Sequence, residues 1–109
     1  MAINDRLTLL DIQQEVQEAE KQIRNHILTT PLLPSPSLSA ISSSTVFLKL
    51  ENLQHTGSFK VRGAFNCLMS LSEEDQSRGV VTASSGNHGL ATAFALNRLG
   101  FPGTIFLPR

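Results

Sequence analysis

Ile12, Val16, Ala19, Ile23 and Ile27 recur at spacings of four, three, four and four, which is one face of a helix. Glu15, Glu18, Glu20 and Lys21 fall largely off that face and are expected in solvent. Thr8 and Asp11 have capping-box spacing at its start. Thr30 is expected to end the element, because a residue before proline avoids helical geometry. Residues 31–45 are rich in serine and proline, and a low-complexity linker is one reading of them. Leu32, Leu33, Leu38 and Ile41 supply apolar surface, which favours a connection with a short helical turn near Leu38. Val46–Leu50 then alternates like a strand.

Gly57 breaks the pattern, and Ser58 is placed to cap a helix with Val61, Ala64, Phe65, Leu68 and Met69 on one face. Ser72-Glu73-Glu74-Asp75 reads as an exposed acidic turn or the start of a short helix. Residues 79–83 read as a short buried strand, followed by a Ser-Ser-Gly turn. A helix is predicted from about Asn87, burying Leu90, Ala91, Phe94, Ala95 and Leu99. Gly100 is its expected C-cap, Pro102 prevents extension, and residues 103–107 form the next strand. Strand, helix and strand in this order predict a right-handed crossover and a parallel sheet, an α/β fold. No internal repeat is visible.

Composition narrows the function classes. With 109 residues, 40% hydrophobic and 17% charged, the chain is one domain's worth of globular sequence. Nine basic and nine acidic residues leave no net charge, which argues against a nucleic-acid or acidic-membrane surface. Cys67 is the single cysteine, so neither an internal disulfide framework nor a cysteine metal cluster is available. The first six residues carry no apolar signal core, and no apolar run approaches membrane-spanning length. A soluble, cytoplasmic protein is expected. The chain ends just after an apolar run that resembles an interior strand, so a truncated form is expected as well.

Two segments carry candidate chemistry. Lys60 lies in the first turn of the helix after Gly57. A solvated lysine is the plain reading, yet the positive end of a helix disfavours a cation and so favours the neutral, nucleophilic amine. Phe59 is ordinarily a core residue; beside Lys60 it is also placed to pack on a flat aromatic cofactor. Ser84-Ser85-Gly86-Asn87-His88-Gly89 joins a strand to a helix, and its exposed N–H groups suit a carboxylate or phosphate. The alternative is a turn that caps only its own helix. Ser85 is a candidate proton carrier if a nearby charge activates it, and Asn87 is a candidate donor to an oxygen anion. His88 alone is more often a capping or core residue than a base. His26, His55 and His88 are too scattered for a zinc site, so no metal is expected. The loop is neither G-x-G-x-x-G nor a P-loop, which leaves nucleotide binding without support.

Leu48-Lys49-Leu50-Glu51-Asn52-Leu53-Gln54, followed by residues 56–64 (Thr-Gly-Ser-Phe-Lys-Val-Arg-Gly-Ala), resembles the pyridoxal-phosphate attachment segment of threonine and serine dehydratases. Residues 84–89 resemble the substrate-carboxylate loop of the same family, and Thr30-Pro31-Leu32 resembles its N-terminal region. The similarity runs from about Leu9 to the last residue, with two motifs in the family's order. Serine racemase shares these features and belongs to the same superfamily.

The resemblance implies a parallel-sheet, tryptophan-synthase-beta-like fold (pyridoxal-phosphate fold type II), truncated. Residues 1–65 would be the N-terminal part of the large cofactor-binding domain and 66–109 the start of a small βαβ domain. Lys60 would hold pyridoxal phosphate as a Schiff base and later move protons, with Phe59 beside the ring and Asn87 bonded to its phenolic oxygen. Ser84, Ser85, Gly86, Asn87 and His88 would take the carboxylate of threonine or serine. Ser85 matches the acid/base on the opposite ring face in the racemase. The implied reaction is an ammonia-lyase converting a hydroxy amino acid to a 2-oxo acid and ammonia, in a homo-oligomer. Alternatives are a racemase-like enzyme, a non-catalytic remnant with exposed apolar surface around Val80 and Ile105, or an unrelated anion-binding α/β module. The family's glycine-rich phosphate loop and its pyridine-nitrogen partner have no counterpart here, since Gly79, Gly100 and Gly103 are isolated.

Overall fold

The computed structural model describes residues 9–108, so the capping residue Thr8 lies outside them. Helix α1 (Leu9–Ile23) leads to β1 (Leu32–Pro34), α2 (Pro36–Ser42) and β2 (Phe47–Lys49). A 3-10 turn (Glu51–Leu53) precedes α3 (Lys60–Met69), α4 (Glu73–Arg78), β3 (Val80–Ala83), α5 (Asn87–Leu99) and β4 (Gly103–Phe106). β3 and β4, joined in sequence by α5, pair directly in parallel, with Val80 opposite Gly103 and Ala83 opposite Phe106. The expected strand–helix–strand unit is therefore present.

The core lies between α3 and α5. Val61 and Phe65 are fully enclosed, and Leu68, Ala91, Ala95, Leu96 and Ile23 join them. The ring of Phe65 meets Phe94 edge-on, with centroids 6.1 Å apart, and His26 stacks on it at 5.0 Å. α3 is continuous through residues 65 and 66, and Phe65 and Leu68 share this one core. Gly100 closes α5 in the left-handed region at φ 73°, as its position predicts. Ser72 caps α4, its hydroxyl accepting from Asp75 N at 3.1 Å, so the acidic run begins a helix.

Several expectations are corrected by long-range packing. α1 stops at Ile23, where His26 N bonds back to Ile23 O and starts a turn; Ile27 packs on the core from outside the helix. Ile12 and Val16 are exposed, because burial of α1 is concentrated at its last turn. Residues 32–34 form a strand that pairs antiparallel with β2, Leu33 opposite Leu48. Ser58 does not cap α3: Phe59 holds the cap position, and among the described residues no side chain caps the helix start. Leu90 is exposed while Leu96 is buried, so α5 presents a face of small residues, Gly89, Ala91, Thr92 and Ala95, that lets α3 approach. β3 is covered on one side only. Val81 (70% exposed) and Phe106 (61%) face outward beside half-buried Val80 and Ile105.

Candidate active site

Lys60 opens α3, immediately after a turn in which Gly57 N donates to Gln54 O at 2.8 Å. Lys60, Gly63, Ala64 and Cys67 follow at helical spacing and line one wall of a cavity of about 450 Å³. Val80, Val81 and Thr82 of β3 form a second wall, and His88 and Thr92 of α5 a third. Phe59 borders the same space, its ring centroid 5.1 Å from Lys60 Nζ. His88 is turned toward the strand, with Nε2 3.2 Å from Thr82 Oγ1.

The Ser84–Gly89 loop sits at the C-terminal ends of the parallel strands, as its sequence position predicts. Ser84 N donates to Phe106 O at 3.1 Å, tying the loop to β4. The hydroxyl of Ser84 accepts from Gly86 N at 3.3 Å, and α5 begins at Asn87. N–H groups in this first turn have no intrahelical acceptor and remain available to an anion. Ser84 and Ser85 line a second concavity of about 410 Å³ together with Phe106 and Leu107. Asn87 is exposed at the helix mouth and lines neither space. Lys60, Phe59 and His88 thus share one cavity, while Ser84 and Ser85 face the adjoining one.

The remaining histidines have packing contacts: His26 stacks on Phe65, and His55 on Phe94 at 5.1 Å. Among the described residues no group of three metal-ligating side chains is placed to hold an ion. No described helix is long and apolar enough to cross a membrane.

A polar frame behind Lys60 was not legible from spacing. Arg62 grips Glu51 with two bonds, Nε to Oε2 at 2.8 Å and a terminal nitrogen to Oε1 at 2.7 Å. Thr30 Oγ1 donates to Glu51 Oε1 at 2.5 Å. Gln54, itself buried, accepts from Leu28 N at 2.8 Å and donates to Leu28 O at 2.9 Å. These residues bind the approach to Lys60 onto the segment after α1. The Arg62 hydrogen bonds, aided by Thr30 and against the cost of burial, hold the Glu51 carboxyl at about 2, well below its ordinary 4.5.

A lowered folded-state value stabilises the ionised form, so this contribution is complete above pH 4.5 and is lost as pH falls toward about 2. Wild type should therefore lose stability across that window more steeply than Glu51→Gln. Urea unfolding at pH 6 and pH 3 checks this, with a difference on the order of 1–2 kcal/mol for a charge-assisted bond. Equal slopes for the two proteins would contradict it.

The donor set suits an aldehyde-bearing aromatic cofactor. A primary amine, an adjacent aromatic ring and largely apolar walls enclose a space within the usual range for small-molecule sites. Two polar side-chain atoms next to the lysine, Thr56 Oγ1 and Ser58 Oγ, are buried without a partner, so this segment has hydrogen-bonding capacity that the described residues leave unused.

Lys60 thus lines a cavity near the mouth of α5 on a parallel α/β frame, a layout with room for a carbonyl cofactor beside a primary amine. Residues 23–109 match the family model described as pyridoxal-phosphate dependent enzyme, and the chain belongs to that family. It is 46% identical over 96 residues to the L-threonine ammonia-lyase of Thermotoga maritima, an alignment covering 88% of this chain and 24% of that protein. It is 48% identical over 82 residues to the serine racemase of Dictyostelium discoideum, covering 75% and 25% of the two chains. The structure of maize serine racemase superposes with a TM-score of 0.80 at 41% identity, over 88% of this chain and 30% of that one. The chain therefore spans about a quarter of the length of the curated relatives it matches. Its fold is a partial pyridoxal-phosphate fold type II, and pyridoxal phosphate is the cofactor of the family.

Proposed function

We propose that this chain is the lysine-bearing N-terminal part of a pyridoxal-phosphate-dependent ammonia-lyase of the threonine/serine dehydratase type. The observation that carries the proposal is Lys60, at the start of α3, on the wall of a cavity shared with Phe59 and His88. Lys60 would bind the cofactor through its Nζ and afterwards accept the proton from the substrate α-carbon on that same atom. When bound, pyridoxal phosphate supplies an electron sink for the charge left on that carbon. Phe59 would flank the ring, and Asn87 would donate to its phenolic oxygen. Ser84, Ser85, Gly86, Asn87 and His88 would hold the substrate carboxylate at the mouth of α5. The hydroxyl of threonine or serine leaves, and the net products are a 2-oxo acid and ammonia.

A racemase-like reading shares every one of these roles and adds one. Ser85 is exposed at the end of the sheet, where its hydroxyl would exchange a proton on the opposite face of the substrate. The similarity to the serine racemases of Dictyostelium discoideum and maize is what supports the reading.

Reduction with borohydride after incubation with pyridoxal phosphate tests the lysine assignment. The expected result is a pyridoxyl mass on the peptide containing Lys60, absent from Lys60→Ala. Label carried by Lys21 or Lys49 instead would overturn it.

A further inference from the structure

α3 starts without the usual device. Among the described residues no side chain caps it, the cap position is held by Phe59, and Ser58 Oγ is buried with no partner. Losing a cap costs a helix start about 1 kcal/mol, and the first turn carries two cations, Lys60 and Arg62, at the end where the dipole opposes them. Something must hold that turn.

Glu51 is the group in place to do so. Its carboxylate is mostly buried, with the side chain 16% exposed, and it receives both arms of Arg62 and the Thr30 hydroxyl. Thr30 is itself 4% exposed, and its carbonyl accepts from Lys49 Nζ. The anchor is consequently fixed from two directions, by the segment after α1 and by β2.

The helix geometry converts this anchor into an orientation for the lysine. Residues two apart point about 200° away from each other around a helix axis. Arg62 faces the α1 side, where it lines a groove with Val16 and Ile23, while Lys60 lines the cavity against β3 and α5. Holding Arg62 at the back of the helix therefore fixes Lys60 at the front.

We propose that Glu51 is a positioning residue for Lys60: held by Thr30, its carboxylate grips the Arg62 side chain and through it sets the rotation of the lysine's turn. The proposal rests on the reading of Lys60 as the cofactor lysine. It adds a group remote from the cavity that acts on Lys60 through Arg62.

The test compares the full chain with Glu51→Gln, which keeps the shape and removes the charge, and with the exchanged pair Glu51→Arg/Arg62→Glu. Two quantities are read. One is hydrogen exchange at the Arg62, Gly63 and Ala64 amides, against the core amides of Ala91, Ala95 and Leu96. The other is the rate at which added pyridoxal phosphate develops a Lys60-dependent absorbance band. Glu51→Gln should speed first-turn exchange by about tenfold more than it speeds core exchange, and slow the band by about tenfold, the scale of one lost charge-assisted bond. The exchanged pair should restore both. If Glu51→Gln loosens the core as well, Arg62→Lys, which keeps the charge but not the two-pronged grip, replaces it in the same comparison. Unchanged first-turn exchange, or an exchanged pair that restores neither quantity, overturns the proposal. A wild-type chain with no Lys60-dependent band defeats the cofactor reading instead, and the exchange data still decide whether Glu51 holds the turn.

Discussion

Phe65→Ala is expected to lower the stability of the protein by about 3–5 kcal/mol, a large part of what a domain of this size possesses. The ring is fully enclosed, where α3, α5 and the segment after α1 meet. His26 stacks on it from the segment after α1, and Phe94 of α5 approaches it edge-on. Truncation removes those contacts together and leaves a cavity that α3 and α5 cannot close without moving Lys60 and His88 relative to each other. Urea denaturation followed by circular dichroism measures the loss. A cost below about 1 kcal/mol would mean that this core does not carry the fold.

Gly89→Ala is expected to damage the Ser84–Gly89 loop more than a one-carbon change normally would. Gly89 is buried in the first turn of α5, and an added Cβ would come 2.3 Å from the carbonyl oxygen of Ser84 and 3.2 Å from its carbonyl carbon. These are backbone atoms, so the loop itself has to shift. The expected cost is about 1–3 kcal/mol, the range for overpacking, together with displaced amide resonances at Ser85 and Gly86. A melting temperature within about 2 °C of wild type and an unchanged amide spectrum would show that the loop has room the structure does not display.

Much of the frame was legible because it is local. The periods of α3 and α5, the Gly100 stop and the strand–helix–strand order follow from neighbours in sequence, and β3 and β4 pair in parallel as that order requires. β1 was not legible. It is three residues long and includes Pro34, and what makes it a strand is its partner β2, about a dozen residues further on. The burial faces failed for the same reason. Leu90 and Leu96 are equally apolar, and only the position of α3 decides which is covered.

The candidate site divides along the same line. Lys60, Phe59 and the Ser84–Gly89 loop could be picked out because each sits at an element boundary with recognisable neighbours. That Lys60 and His88 share a cavity, while Ser84 and Ser85 line another, depends on how α3, α5 and β3 pack together. Glu51 and Arg62 are eleven residues apart, both inside the segments that resemble the attachment region, and nothing in their spacing shows that they pair or that the chain folds back through Thr30. A charged pair at that separation has no periodic signature. Ser58 shows the converse: its residue type and position suit a helix cap, but the fold buries its hydroxyl and gives the cap position to Phe59.

The visible absorbance spectrum after adding pyridoxal phosphate, recorded side by side for wild type and Lys60→Ala, tests the central claim most directly. The account predicts a band in wild type that is absent from Lys60→Ala and that shifts when threonine or serine is added. The same spectrum from both proteins would contradict it, showing that Lys60 is not the cofactor lysine of this chain.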